Sequence, residues 1–125
     1  MNLVDSSAWL EYFADGPNAN FFAAAIEKPG QLIVPTIVLY EVYKRVSVQR
    51  GTHPALQAAS VLQQGQIMNL TAELALAAAR ISAKEKLPMA DSIILASARA
   101  ENAVLWTQDS DFQQLPEVKF RAKKS

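Results

Sequence analysis

The sequence predicts an α/β protein, a three-layer α/β/α sandwich built on a mainly parallel sheet. Short apolar runs alternate along the chain with longer helical segments, and this alternation indicates a parallel sheet with helices on both faces. Half of the 125 residues are hydrophobic and 19% are charged, which is typical of a globular chain that can bury a core without disulfides. We therefore expect one domain over residues 1–125.

The expected elements follow from apolar runs and the residues that bound them. Strands are expected at residues 3–4, 32–34, 67–68, 104–106 and 118–120. Ser6 or Ser7 is expected to cap a first helix, which ends near the breaker pair at 16–17. Thr36 is expected to cap a long helix that stops at Gly51. Further helices are expected over residues 20–26, from 53 through 62, over 71–86 and from 88 onwards, with a short helical turn at 110–115.

Composition excludes several classes of protein. The chain has no cysteine, so neither disulfides nor thiolate metal sites contribute. The amino terminus has no basic segment of a signal peptide, and no run approaches ~20 apolar residues. A cytoplasmic location and no membrane span are therefore expected.

The balance of charge is neutral, with twelve basic and twelve acidic residues, whereas nonspecific nucleic-acid binders are usually basic. Four carboxylates gathered on metal ions would leave a basic remainder. The last eight residues, VKFRAKKS, contain four basic residues and no acid. This tail is either a solvated end or a phosphate contact.

Four acids occupy equivalent positions at strand ends and helix starts. Asp5 and Asp109 follow expected strands, and Glu41 and Asp91 lie early in expected helices. Each has an ordinary interpretation: Asp5 and Asp109 as caps, Glu41 paired with Arg45, and Asp91 stabilised by its helix dipole. In parallel sheets, however, ligands bind beyond the carboxyl ends of the strands, where all four acids are expected.

Four carboxylates in one cleft require a cation, because like charges raise one another's pKa. No basic residue is placed beside all four, and the single histidine, His53, is expected to be structural or at the surface. Oxygen ligands favour Mg²⁺ or Mn²⁺ over zinc. Such ions serve phosphoryl transfer, in which one activates water and a second stabilises the leaving oxygen.

Four segments together resemble the PIN-domain nucleases, and within them the VapC-type toxins of toxin–antitoxin pairs. The segments are LVDSSAW at 3–9, VPTIVLYEV at 34–42, LPMADSIILA at 87–96 and LWTQDSDF at 105–112. The resemblance covers essentially the whole chain, and the four motifs occur in order with this spacing. It implies a three-layer α/β/α fold, an RNA substrate, a homodimer and an antitoxin that blocks the cleft.

The resemblance also implies roles for individual residues. It carries over the acids as catalytic, metal-binding residues, with Asp111 as a fifth metal-binding acid and with Ser7 and Thr107 as polar supports. Gln108 is a departure, since arginine is common at that position. The acids carried over are Asp5, Glu41, Asp91 and Asp109.

The same residues also bear on alternative functions and on the kind of inhibitor that the site would accept. The main alternative is a catalytically inactive module of the same fold that binds RNA or protein. A dehalogenase-type phosphatase would need a second aspartate where Ser7 stands. A receiver domain would need a late lysine that follows a strand, and none is suitably placed. An acidic pocket would accept an arginine or lysine from an antitoxin. The first two helices contain an aromatic cluster, of which most is expected to be core and one or two rings to be exposed, either for an antitoxin helix or for dimerisation. The cluster comprises Trp9, Tyr12, Phe13, Phe21 and Phe22.

Overall fold

The computed structural model describes residues 1–124 and contains one five-stranded, all-parallel sheet. The apolar residues of the three central strands are largely buried, as is typical of parallel sheets, whereas those of the two edge strands are exposed or only partly buried. The strands are β1 (Asn2–Val4), β2 (Leu32–Pro35), β3 (Gln66–Met68), β4 (Val104–Thr107) and β5 (Val118–Phe120).

Six helices connect and cover the strands, which confirms the predicted α/β/α sandwich and sharpens "mainly parallel" to all parallel. Two short 3₁₀ turns, Pro29–Gln31 and Ser110–Phe112, precede β2 and β5. Among residues 1–124, none of the helices combines the length and apolar character that crossing a membrane requires. The helices are α1 (Ser6–Phe13), α2 (Ala19–Ile26), α3 (Thr36–Arg50), α4 (Thr52–Leu62), α5 (Ala72–Glu85) and α6 (Met89–Ala100).

The strand order is β3-β2-β1-β4-β5. The chain therefore builds outward from β1 through β2 and β3, then returns to the other side of β1 with β4. Leu3 pairs with Ile33 on one side and with Leu105 on the other. Ligands of open α/β sheets bind at such a reversal, beyond the carboxyl ends of the strands. Here that crevice lies between the ends of β1 and β4.

The main core lies between this sheet and the helices that pack on it. Val4, Val34 and Leu105 are fully buried in the strands, and Trp9 and Phe22 are fully buried in α1 and α2. Every residue of α6 from 92 to 98 is buried. A second apolar cluster joins α5 to α6 through Leu74, Ala78, Ile93 and Ala96. Since α6 is held on both sides, its first turn is fixed relative to β1 and β4.

Three expected details of the connections are corrected. Asp5, rather than Ser6 or Ser7, caps α1, because Asp5 is extended and accepts the amide hydrogen of Ala8 while both serines are already helical. Thr36 likewise lies inside α3, and the cap position falls to Pro35 without a side-chain bond. The turn expected over 110–115 is limited to Ser110–Phe112, because its bonds are of the 3₁₀ type, which rarely persists.

Candidate metal centre

Three carboxylates form a compact group at the crevice between β1 and β4. Oxygens of Asp91, Asp109 and Asp111 all lie within 4.8 Å of one another. Asp91 lies in the first turn of α6, and Asp109 follows β4 and caps the next turn. The Asp109 carboxylate accepts the backbone amide of Asp111 at 2.9 Å. The local turn therefore places Asp111 beside Asp109, and the packing of α6 adds Asp91.

Asp5 is the buried acid next to this group, with only 2% of its surface exposed. One oxygen, Oδ1, accepts hydrogen bonds from the Ser7 hydroxyl at 2.7 Å and from the Ala8 amide at 3.0 Å. The other, Oδ2, accepts the Thr107 hydroxyl at 2.6 Å. A carboxylate has about four acceptor positions, so these three bonds orient Asp5 and leave one position, on Oδ2, for a further partner.

Thr107 connects Asp5 to the compact group. Its hydroxyl donates to Asp5 and accepts the backbone amide of Asp109 at 2.9 Å. Thr107 is fully buried at the end of β4. The hydroxyl therefore fixes the relative positions of two acids that are far apart in sequence.

Glu41 lies outside the compact group and is joined to it indirectly. It is half-buried in the second turn of α3, and its Oε1 accepts the hydroxyl of Ser6 at 2.7 Å. Ser6 follows Asp5 directly, so this bond ties α3 to the amino end of α1. The alternative pairing of Glu41 with Arg45 is not formed.

The electrostatics of the site oppose four free negative charges. Burial raises the pKa of Asp5 to about 6, although its three hydrogen bonds act in the opposite direction. Burial raises the pKa of Asp91 to about 7, and the carboxylates of Asp109, Asp5 and Asp111 add to this. Both acids therefore retain protons at a pH at which ordinary aspartates are ionised.

Basic side chains do not neutralise the site. Within residues 1–124 the one ion pair joins Arg99 to Glu117, at 2.7 Å, and it involves none of these acids. His53 is exposed at the start of α4. A group of oxygen donors without a basic partner fits a hard divalent cation such as Mg²⁺ or Mn²⁺. The residues that would hold it are Asp91, Asp109 and Asp111, with Asp5 beside them.

Sequence reasoning missed the role of Ser6 and a buried amide pair near the site. Asn18 Nδ2 donates to Gln108 Oε1 at 3.2 Å and to the carbonyl of Ala122 at 2.9 Å. Asn18 is 1% exposed and Gln108 is 9% exposed. No local pattern signals a contact between such distant positions. Glutamine at position 108, where arginine is common, is the one sequence feature that indicates different contacts there.

The aromatic cluster of the first two helices contributes mainly to the core, as predicted. Trp9 and Phe22 are fully buried, and Tyr12, Phe13 and Phe21 are partly buried against the core. None of the five is exposed. Only the three partly buried side chains, Tyr12, Phe13 and Phe21, have surface that a partner could contact.

A family model described as the PIN domain matches residues 3–118. The chain belongs to the PIN domain family, as its four motifs predicted. The match spans every element from β1 to the start of β5, including all the acids discussed above.

Solved structures agree with this assignment at the level of the fold. The chain is similar to a toxin–antitoxin complex from Klebsiella pneumoniae, with a TM-score of 0.80 and 23% identity over 95% of this chain and 96% of that one. It is similar to VapC20 of Mycobacterium tuberculosis, described as a Sarcin-Ricin loop cleaving toxin, with a TM-score of 0.79 and 21% identity over 93% and 95%. VapBC2 from Rickettsia felis bound to a promoter DNA fragment gives a TM-score of 0.73 and 17% identity over 97% of each chain. Comparison with curated protein sequences finds no match.

Proposed function

We propose that the chain is a metal-dependent endoribonuclease that acts as the toxin of a toxin–antitoxin pair. The observation that carries the proposal is the compact group of Asp91, Asp109 and Asp111 with buried Asp5 beside it. These acids lie at the crevice where α/β sheets bind ligands. Membership of the PIN domain family and the likeness to VapC20 support RNA as the substrate.

The chain's own residues have distinct tasks in this proposal. Asp91, Asp109 and Asp111 hold Mg²⁺ or Mn²⁺, and Asp5 shares in the binding through its remaining acceptor position. Thr107 and Ser7 keep Asp5 oriented through their hydroxyls. When bound, the ion supplies activation of water and stabilisation of charge on the scissile phosphate. Glu41, which accepts a hydrogen bond from the Ser6 hydroxyl, adds a further carboxylate beside these acids.

The test is cleavage of a mixed-sequence RNA with Mn²⁺, with Mg²⁺ and with a chelator. We expect cleavage only with metal, and we expect Asp91→Asn to abolish it while the variant stays folded. Glu101→Gln, which changes an exposed carboxylate on another part of the surface, is the matched control and should retain activity. A folded chain that binds RNA but cleaves none under any metal condition would instead be the inactive module of the same fold.

The proposed inhibitor is an antitoxin that inserts a basic side chain among these carboxylates. The site has no basic partner within residues 1–124, and arginine can bond two carboxylate oxygens in a fixed geometry. The similar structures include toxin–antitoxin complexes. We expect Mn²⁺ to compete with the antitoxin, and Glu41→Gln to weaken its binding. Titration of the purified pair with Mn²⁺ tests this, and an affinity independent of metal would exclude insertion.

The toxin itself is also proposed to form a homodimer. Sedimentation measurements on the purified chain check this oligomeric state.

A further inference from the structure

A second feature of the site is the cleft that opens beside Asp109. The cleft has a volume of about 770 Å³. Next to the acids it is lined by Ser7, whose hydroxyl bonds to Asp5, and by Asp109 itself. Residues of α1, α3, the turn after β4 and the chain that follows β5 complete its walls. A molecule held at the acids would therefore continue into this cleft.

The two basic residues of the cleft come from different elements. Arg45 comes from α3 and Lys123 from the segment after β5, and both are exposed. No carboxylate of residues 1–124 forms an ion pair with either. Of the two acids in the cleft, Glu11 accepts a hydrogen bond from the backbone amide of Asn18 at 2.8 Å, and Asp109 belongs to the compact group of carboxylates. Neither acid forms an ion pair with Arg45 or Lys123, so both cations are available to an anionic ligand.

Hydrogen bonds hold in place the segment that carries Lys123. The amide of Arg121 donates to the carbonyl of Thr107 at 3.0 Å, and the carbonyl of Ala122 accepts the buried amide of Asn18. Asn18 also bonds to Gln108, next to Thr107. The basic end of the chain is thus anchored at the edge of the sheet where the acids lie, and Lys123 follows the last anchored residue directly.

The chemistry of the cleft matches a phosphodiester backbone. Besides its two cations and two acids, the polar side chains of the cleft are hydroxyls and amides, including Ser110, Gln49 and Gln113, and such groups contact phosphate and sugar in nucleic-acid complexes. Phe120 is the one aromatic residue in the lining, so base stacking is a minor part of any contact here.

We propose that this cleft binds the backbone of the RNA flanking the scissile phosphate, with Arg45 and Lys123 contacting its phosphates. The proposal rests on the proposed nuclease function for the identity of the ligand. Contacts to phosphates carry no sequence information, so the cleft sets affinity and the path of the strand rather than the choice of sequence.

The test compares two double variants that remove equal charge. R45Q/K123Q alters the cleft, and R80Q/K84Q removes one arginine and one lysine from a separate groove on α5. The affinity of the full chain for two single-stranded RNA oligonucleotides of different sequence is measured at several salt concentrations. A chelator is present to prevent metal-dependent cleavage.

For single strands the logarithm of the affinity falls with the logarithm of salt with a slope of about −0.7 per phosphate contact. Loss of two contacts should make the slope smaller by about 1.4 and the affinity about 25-fold weaker near 0.1 M salt. Both oligonucleotides should be affected alike, and R80Q/K84Q should match the wild type. In cleavage assays with Mn²⁺, R45Q/K123Q should raise KM and retain kcat, as loss of uniform binding does.

The outcomes separate this inference from the nuclease proposal. If the wild type cleaves no RNA, the nuclease proposal fails, while the difference in salt slope still decides the role of the cleft. If the wild type cleaves RNA and the two double variants have equal slopes, the cleft proposal is overturned. It is also overturned if the wild type has no affinity for RNA, or if R45Q/K123Q loses only the binding of an antitoxin.

Discussion

Asp91→Asn should stabilise the chain in the absence of metal, although it abolishes the proposed activity. Asp91 accepts no hydrogen bond from a donor among residues 1–124. Its ionised form therefore suffers burial and the repulsion of three carboxylates without a compensating hydrogen bond. Asparagine has nearly the same shape and carries no charge. The substitution thus removes the unfavourable charge and costs few contacts.

The magnitude follows from the pKa of Asp91, which is raised from 3.8 to about 7. A difference of about three between two pKa values corresponds to about 4 kcal/mol. Asp91 is only partly buried, and solvent screening reduces such energies. We therefore expect Asp91→Asn to raise the free energy of unfolding by about 1–2 kcal/mol at pH 8.

The gain should depend on pH in a defined direction. Because the folded state binds the Asp91 proton more tightly than the unfolded state, the stability of the wild type falls as pH rises from about 4 to about 7. Above that range the loss is complete, and below it both states are protonated. The advantage of Asp91→Asn is therefore full at pH 8 and absent near pH 4.

Urea denaturation with a chelator, at pH 4.5 and at pH 8, measures this difference. Glu101→Gln changes an exposed carboxylate and should leave stability nearly unchanged at both values. If Asp91→Asn is less stable than the wild type at pH 8, or if its effect is the same at both values, the electrostatic account of the site is wrong.

Three further measurements test the site and its surroundings. Mn²⁺ at a hundredfold excess over its Kd should stabilise the folded chain by about 2.7 kcal/mol and so raise its melting temperature. Asp5→Asn should lose this rise, and a wild-type melting temperature that does not change with Mn²⁺ would count against a preformed site. Thr107→Val leaves the Asp5 carboxylate and the Asp109 amide without their shared hydroxyl, and should cost about 1–3 kcal/mol in urea denaturation; an unchanged midpoint would contradict the bridging role. Arg99→Gln breaks a solvent-exposed pair with Glu117 and should cost less than about 1 kcal/mol; a larger loss would show that this pair supports β5.

The position of the acids could be predicted because the sheet imposes it. Once β1 and β4 are identified as parallel strands, Asp5 and Asp109 must come to the same edge of the sheet. The apolar face of α6 likewise directs its first turn, with Asp91, toward the strands. These predictions needed only the period of the apolar residues and the rule that parallel strands end together.

Other features could not be predicted because they depend on single-residue boundaries or on distant contacts. Asp5, Ser6 and Ser7 are all able to cap a helix, and the choice depends on where β1 ends, to within one residue. The bond from Ser6 to Glu41 follows from the packing of α1 on α3. The bond from Asn18 to Ala122 joins residues 104 positions apart, and no local pattern encodes it.

Within residues 1–124 no basic side chain forms an ion pair with the acids of the site. Asp5 caps α1 and Asp91 lies in the first turn of α6, so the positive ends of two helix dipoles already face these acids. The pKa values of both acids are raised nonetheless: burial outweighs the three hydrogen bonds that Asp5 accepts, and burial and neighbouring carboxylates both act on Asp91. A divalent ion and an inserted arginine would both relieve this same unfavourable charge. Since each would satisfy the same carboxylates, we expect binding of one to oppose binding of the other, so that the active and inhibited forms of the proposed toxin would be mutually exclusive states of one acidic site.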